Sequence, residues 1–170
     1  MAKRQHAVKS SGRPRRTAAG DAFSRLAVQL IRLGGLVDAA GDALARPAGQ
    51  SSARWQVLAA AERGPVTVAR VARLLGLARQ SVQRVADLLA REGLTSYEDN
   101  PDHLRAKLIH LEPRGHAVLA KIQAAQREWA DELGAALGAR DLERASDVLD
   151  RVIEELTRRQ QGLDATADDE

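Results

Sequence analysis

The chain has no cysteine among its 170 residues. That alone excludes disulfides, thiolate zinc sites, iron–sulfur clusters and thiol-based redox sensing. Aromatic residues make up only 2% of it: two Trp, one Tyr and one Phe. Ala, Leu and Val must therefore supply the core, which favours helices packed closely through small side chains. No apolar run reaches the roughly 20 residues needed to cross a bilayer. The most apolar stretch, Leu26 to Leu44, is interrupted by Arg32, Asp38 and Asp42, so no membrane partner is expected. The basic N-terminus runs into polar SSGRPRRTAAGD rather than an apolar segment. A secretory signal is not expected, and the expected compartment is the cytoplasm. His6, His103, His110 and His116 show no metal-ligand spacing. There is no Gly-rich phosphate loop and no nucleophile motif. No catalytic residue, metal or cofactor is expected, and the chain does not read as an enzyme.

What is present is charge and helical period. Lys and Arg number 26 against 23 Asp and Glu, a formal net charge of +3 with a sequence pI of about 9.8. Arg dominates the cations, which suits phosphate and base recognition. So small an excess decides nothing by itself.

The segment from Val66 to Leu94, VTVARVARLLGLARQSVQRVADLLAREGL, is more informative. Val68, Val71, Ala72 and Leu75 fall on one face of a first helix, with Thr67 as N-cap and Gly76 as stop. Val82, Val85, Ala86 and Leu89 repeat the spacing in a second helix ended by Gly93. Gln80, Arg84, Asp87 and Arg91 point the opposite way, Ser81 and Gln83 sit on the flanks, and Arg79 lies in the first turn. Arg and Gln are the types that bond guanine and adenine edges, and Ser81 can bond a phosphate oxygen. This is the pattern of a helix-turn-helix. Two β-prone segments follow, Leu94 to Glu98 and Lys107 to Leu111, around the turn Asp99-Asn100-Pro101-Asp102. The fold class expected is mainly α: a winged helix-turn-helix with a two-stranded β wing, flanked by N- and C-terminal dimerisation helices.

Five regions are expected. Residues 1–20 form a disordered basic arm carrying Lys3, Arg4, Lys9, Arg13, Arg15 and Arg16, either a DNA-contacting arm or a solvated tail. Residues 21–50 hold a long helix over Asp21 to Arg46 and a loop from Pro47. Leu26, Leu30, Leu33, Val37, Ala40 and Leu44 alternate steps of four and three along that helix, a seam suited to another helix. Gly34-Gly35 in its middle predicts a kink or a close helix approach. Residues 51–112 are the winged helix-turn-helix, opening on a helix capped by Ser51 or Ser52. Residues 113–160 hold two more helices, one opened by Pro113 and broken at Gly134 to Gly138, the other from about Arg140 to Arg159. Leu142, Ala145, Leu149, Val152 and Leu156 line the last. Residues 161–170 are expected to be an acidic disordered tail. Flanks this long and apolar predict a homodimer, with Leu26, Leu30, Leu33, Leu149, Val152 and Leu156 in its interface.

The order of elements resembles the multiple antibiotic resistance regulator (MarR) family of bacterial winged-helix transcription factors. ARWQVLAAAERGPVTVARVARLLGLARQSVQRVADLLAREGL resembles the family's second to fourth helices. YEDNPDHLRAKLIHLEPRG resembles its wing and the start of its fifth helix. The resemblance covers roughly Asp21 to Leu156. It implies a homodimer built from the first helix and the last two, reading a pseudo-palindromic operator. Arg79, Gln80, Ser81, Gln83 and Arg84 then fall on the recognition helix, with His103, Arg105 and Lys107 in the wing. Arg105 matches the family's wing-tip arginine. Two places depart from the pattern. The acidic residue that commonly holds that arginine is His103 here, with Asp102 beside it, and the Ser or Thr that commonly opens the recognition helix is Ala78. The resemblance further implies a cleft for a small aromatic acid or phenol, for which Phe23, Trp55 and Trp129 are the candidate walls.

The reading that results is a sequence-specific regulator of transcription, a repressor, with double-stranded DNA and a second copy of itself as partners. Two alternatives stay open on the sequence: a nonspecific or architectural DNA binder, and a winged helix used as a protein-interaction module.

Overall fold

The structure, a computed structural model, describes residues 16–103 and 105–167. The cations of the expected arm up to Arg15 lie outside the described residues, as do residues 168–170. Helix α1 spans Ala18–Ala45, followed by a 3-10 turn at Arg46–Ala48 and by α2, Ser52–Glu62. A two-residue strand, β1 (Val66–Thr67), leads into α3 (Val68–Leu75) and α4 (Arg79–Arg91). Strands β2 (Thr95–Glu98) and β3 (Leu108–Leu111) form a hairpin, and α5 (Pro113–Leu137) and α6 (Ala139–Ala167) complete the chain. No helix among the described residues is long and apolar enough to cross a membrane.

Local chemistry sets most of these boundaries. The Ser51 hydroxyl accepts from the Arg54 N–H and the Thr67 hydroxyl from the Arg70 N–H, each satisfying an orphan donor of a first turn. Gly76 closes α3 at φ 64, a left-handed conformation that a side chain would penalise.

One expectation is extended and three are corrected. The two-stranded wing, β2 with β3, is joined by a third antiparallel strand in the order β1-β3-β2, because Val66 and Thr67 pair with Ile109 and Leu108. Thr67 thus ends a strand and caps a helix, and only the cap is visible locally. Helix α1 begins at Ala18, inside the expected arm, because Thr17 accepts from the Gly20 N–H at 3.0 Å. Helix α6 continues to Ala167, so the expected tail is helical from 161 to 167. That stretch contains no proline, and acidic side chains alone do not stop a helix. Helix α1 runs unbroken through Gly34-Gly35, and among the described residues nothing beyond the helix's own backbone comes within 4 Å of a Cβ built at either. The close approach on α1 is at Gly41 instead, where a Cβ would stand 2.7 Å from the buried Ser52 hydroxyl. There the Asp42 carboxylate accepts from the Ser52 N–H at 2.7 Å, an anion at the N-terminus of α2.

The core lies among α2, α3, α4, the sheet and the first turns of α5. Val57, Leu58, Val71, Val82, Ala86, Leu89, Ile109, Leu111 and Leu119 are its fully buried members. Gly115 is the tightest point. A Cβ there would stand 2.1 Å from the Leu94 carbonyl oxygen and 2.7 Å from Leu111 Cδ1. That oxygen already accepts from the Glu112 N–H at 3.1 Å, so backbone would have to move. Gly115→Ala should destabilise the fold by about 3 kcal/mol, the upper end of overpacking costs, although alanine is the better helix former. Denaturant unfolding checks this, and an unchanged midpoint would place α5 differently against β2.

The flanking helices are packed otherwise. No residue of α6 is buried among those described; Leu149 and Val152 are half-buried. Helix α1 exposes Phe23, Val28, Ile31, Leu33, Leu36 and Val37, and the α5–α6 arm exposes Leu133, Leu137, Leu142, Val148, Ile153 and Leu156.

Candidate nucleic-acid interface

Helix α4 is fixed at its buried face and at its C-terminal end. Val82, Ala86 and Leu89 are buried beneath it. At its end Arg54 of α2 pairs with the Glu92 carboxylate, and Arg114 of α5 donates to the Glu92 carbonyl at 3.1 Å. Guanidinium groups there complement the negative end of the helix dipole. The opposite end is open. Ala78 adopts an extended conformation and supplies no side-chain cap, so no side chain takes the first-turn N–H groups. An unoccupied helix N-terminus favours a phosphate.

Arg79, Gln80, Ser81, Gln83 and Arg84 are all exposed, as the period requires. The structure brings Arg79, Gln80 and Gln83 together with Arg105 and Lys107 of the wing. They line one groove of about 410 Å³ between α4 and the hairpin, together with Thr67 and Tyr97. Three cations and no carboxylate line it. Ser81 and Arg84 lie on the exposed surface of the same helix, outside that lining. His103 is exposed in the wing turn, also outside it.

Asp102 does not replace the acidic partner missing at His103. Among the described residues Arg105 has no ion pair. The wing turn is shaped by Asn100 instead, a buried side chain whose carbonyl oxygen accepts from the Asp102 N–H at 3.0 Å. The His103 N–H donates to the Asn100 carbonyl and the Ala106 N–H to the His103 carbonyl. An Asx turn of this kind holds a tip by local bonds, which leaves the guanidinium of Arg105 free to meet a ligand.

Two residues of the interface escape sequence reasoning. Asp87, expected on the free outer face, is half-buried, and its carboxylate accepts from the Tyr97 hydroxyl and from Gln83 Nε2, both at 2.8 Å. Gln83 Nε2 also donates to the Tyr97 hydroxyl at 2.8 Å. Burial, then the bond to Asp87, pushes the Tyr97 hydroxyl up to about 12, so it stays a protonated donor at neutral pH. The signal was its rarity, since Tyr97 is the chain's single tyrosine. Its partner ten residues earlier is set by how the hairpin folds back.

The expected aromatic cleft is not one site. Trp55 lines a cavity of about 650 Å³ between α1, α2, α3 and α5, with Val37, Gln56, Arg63, Gln123 and Gln126. Phe23 instead lies against α6, in a groove with Val148, Val152 and Leu156. Trp129 is half-buried on α5 and lines neither. The first turns of α1 are simply too far along that helix to share the cavity that its last turns border.

A helix-turn-helix whose second helix and β hairpin enclose a basic groove is a winged helix. Its sequence matches a family model described as MarR family over residues 49–106, from the turn before α2 to the wing. An uncharacterized protein of Mycobacterium tuberculosis is 35% identical over 133 residues, 78% of this chain and 93% of that one. Among solved structures, the M. tuberculosis transcriptional regulator MosR in complex with DNA superposes with a TM-score of 0.63. It is 24% identical, over 76% of this chain and 96% of that one. CouR from Rhodococcus jostii RHA1, bound to p-coumaroyl-CoA, superposes with a TM-score of 0.66. It is 22% identical, over 75% of this chain and 90% of that one. At those identities the structures show likeness of fold. The chain belongs to the MarR family of winged-helix transcription regulators.

Proposed function

We propose that the protein binds a pseudo-palindromic operator as a homodimer and represses transcription from it. The observation that carries this reading is the groove itself: Arg79, Arg105 and Lys107 line it together with the amide-bearing Gln80 and Gln83. Cations and amides in one groove suit a phosphate backbone and base edges. The exposed apolar faces of α1 and α6 support the dimer, which would present two such grooves. MosR, of the same fold, has been seen with DNA. The cations ahead of α1, Lys3 to Arg16, would extend the phosphate contacts, and the compartment would be the cytoplasm.

Release by a small aromatic acid or phenol is part of the proposal. The cavity at Trp55 offers an aromatic wall, amide groups from Gln56, Gln123 and Gln126, and the cation of Arg63. It also touches α1, α2 and α5 at once. A ligand there would alter how the flanking helices meet the winged helix, which is what couples such a site to the spacing of two half-sites.

The test separates base readout from backbone positioning. Arg84→Ala or Gln80→Ala should cost about 1–3 kcal/mol on the selected operator and relax preference at one position per half-site. Arg105→Ala should weaken operator and unrelated DNA alike, and should reduce the salt slope by about two in a dimer, one per wing. Fluorescence anisotropy on both duplexes measures this. If Arg84→Ala and Gln80→Ala weaken every sequence equally, α4 does not read bases and nonspecific binding is the better reading.

A further inference from the structure

Resting on that reading, we propose that the hydrogen bond from the Tyr97 hydroxyl to Asp87 straps the wing to α4, and so fixes where Arg105 and Lys107 meet the phosphate backbone relative to the recognition helix. Tyr97 pairs with Ile109 across the hairpin, and its ring packs against the hydrophobic core. Among the described residues between those two, no side chain belongs to that core. The hairpin therefore leaves the core at Tyr97, and Arg105 and Lys107 lie beyond that point. The hydroxyl donates to Asp87 Oδ1 at 2.8 Å. Its bonds with Asp87 and Gln83 are the side-chain hydrogen bonds that join α4 to the hairpin among the described residues. Burial and Asp87 keep the hydroxyl protonated at neutral pH, so the donor is always present. Arg105 has no ion pair among the described residues to hold it instead.

The charge of Asp87 points the same way. It is the single acidic residue of α4, and it bonds to two side chains of a groove whose lining holds three cations and no carboxylate. By charge alone it opposes a phosphate backbone. The bond it accepts accounts for its place, since a charged acceptor makes a hydrogen bond about twice as strong as a neutral one. Without that bond the wing would be held by its own strand pairing, and its direction would have to be ordered when DNA binds. Such ordering opposes association. With the bond in place, helix and wing are presented together, and contact at one supports contact at the other. Tyr97 and Asp87 are positioning residues, and neither has to touch DNA.

Anisotropy titration of the full chain on the selected operator duplex, across a salt series, tests the proposal. In the wild type Arg105→Ala should weaken binding about tenfold. In a Tyr97→Phe background the same change should cost about threefold or less, because the guanidinium is no longer held in place. Tyr97→Phe alone keeps the ring in the core. It should weaken operator binding about tenfold and make the salt slope shallower by about two, with little change in the unfolding midpoint. Asp87→Ala removes a negative charge, which by itself strengthens binding to DNA. It should weaken binding about threefold instead, and shrink the Arg105 effect as Tyr97→Phe does. Asp87→Asn keeps an acceptor for the hydroxyl, and the Arg105 effect should stay at about tenfold. A purely structural role for Tyr97 would lower affinity and leave both the salt slope and the Arg105 effect as they are. The proposal is overturned if Arg105→Ala costs the same in the wild type, Tyr97→Phe and Asp87→Ala, if it costs nothing in the wild type, or if Asp87→Asn behaves as Asp87→Ala. Should Tyr97→Phe not fold, the two Asp87 variants decide. A wild type that binds no duplex would overturn the operator reading itself, an outcome distinct from these.

Discussion

Raising salt from 50 to 200 mM should weaken binding to duplex DNA by about 10³-fold or more. Each proposed half of the dimer offers Arg79, Arg105 and Lys107 around its groove and Arg84 on the exposed helix surface. Two halves give on the order of 6–10 phosphate contacts, and each contact displaces a condensed counterion whose release is favourable only while bulk salt is low. These cations are exposed and form no ion pair among the described residues, so none there has to break first. The measurement is anisotropy titration across a salt series, plotted as log affinity against log salt. A flat line would mean that the groove does not meet a phosphate backbone, and the protein-interaction module would become the better reading.

Ile31→Glu should convert a dimer into folded monomers. Ile31 is 78% exposed within one chain, as Ile153 is 60% exposed, so a carboxylate at either place costs the isolated fold little. In a dimer sealed by these faces the same carboxylate is buried without a partner, once on each protomer. The cost is then about 4 kcal/mol or more, near 10³-fold in the dimer dissociation constant. Leu30 and Leu149 make poorer probes, because both are half-buried against their own chain and a charge there would disturb folding as well. Sedimentation should show a monomer with unchanged helix content by circular dichroism, and operator affinity should fall to that of a single half-site. A dimer that survives both Ile31→Glu and Ile153→Glu would put the interface on another surface. The sequence seam Leu26, Leu30, Leu33, Leu149, Val152 and Leu156 stays part of the proposal, but only Leu33 and Leu156 are fully on the exposed face.

The helix-turn-helix was legible because its determinants are local. A run of Val82, Val85, Ala86 and Leu89 spaced by three and four has one buried face whatever surrounds it. The Thr67 hydroxyl reaches only to Arg70, and Gly76 needs only its own φ. The outward set from Arg79 to Arg84 follows from the same period. The family pattern was legible for the same reason, since its match spans one continuous segment, 49–106.

What sequence could not decide is what folding brings together from separate segments. β1 exists only because β3, more than forty residues later, lies beside Val66 and Thr67. Gly115 has no turn to make; it is required because the Leu94 carbonyl comes down onto it. Phe23 and Trp55 look equivalent as lone aromatics, yet Phe23, near the start of α1, lies against α6, while Trp55, on α2, lines the cavity that the last turns of α1 border. Gln83 reads from its period as a free amide on a recognition helix. Only the return of β2 across α4 brings Tyr97 beside Asp87 and places both against its nitrogen. Periodicity assigns a side chain to a face at the cost of one short-range repeat. The hydrogen bonds that then decide its chemistry depend on distances set by the whole core.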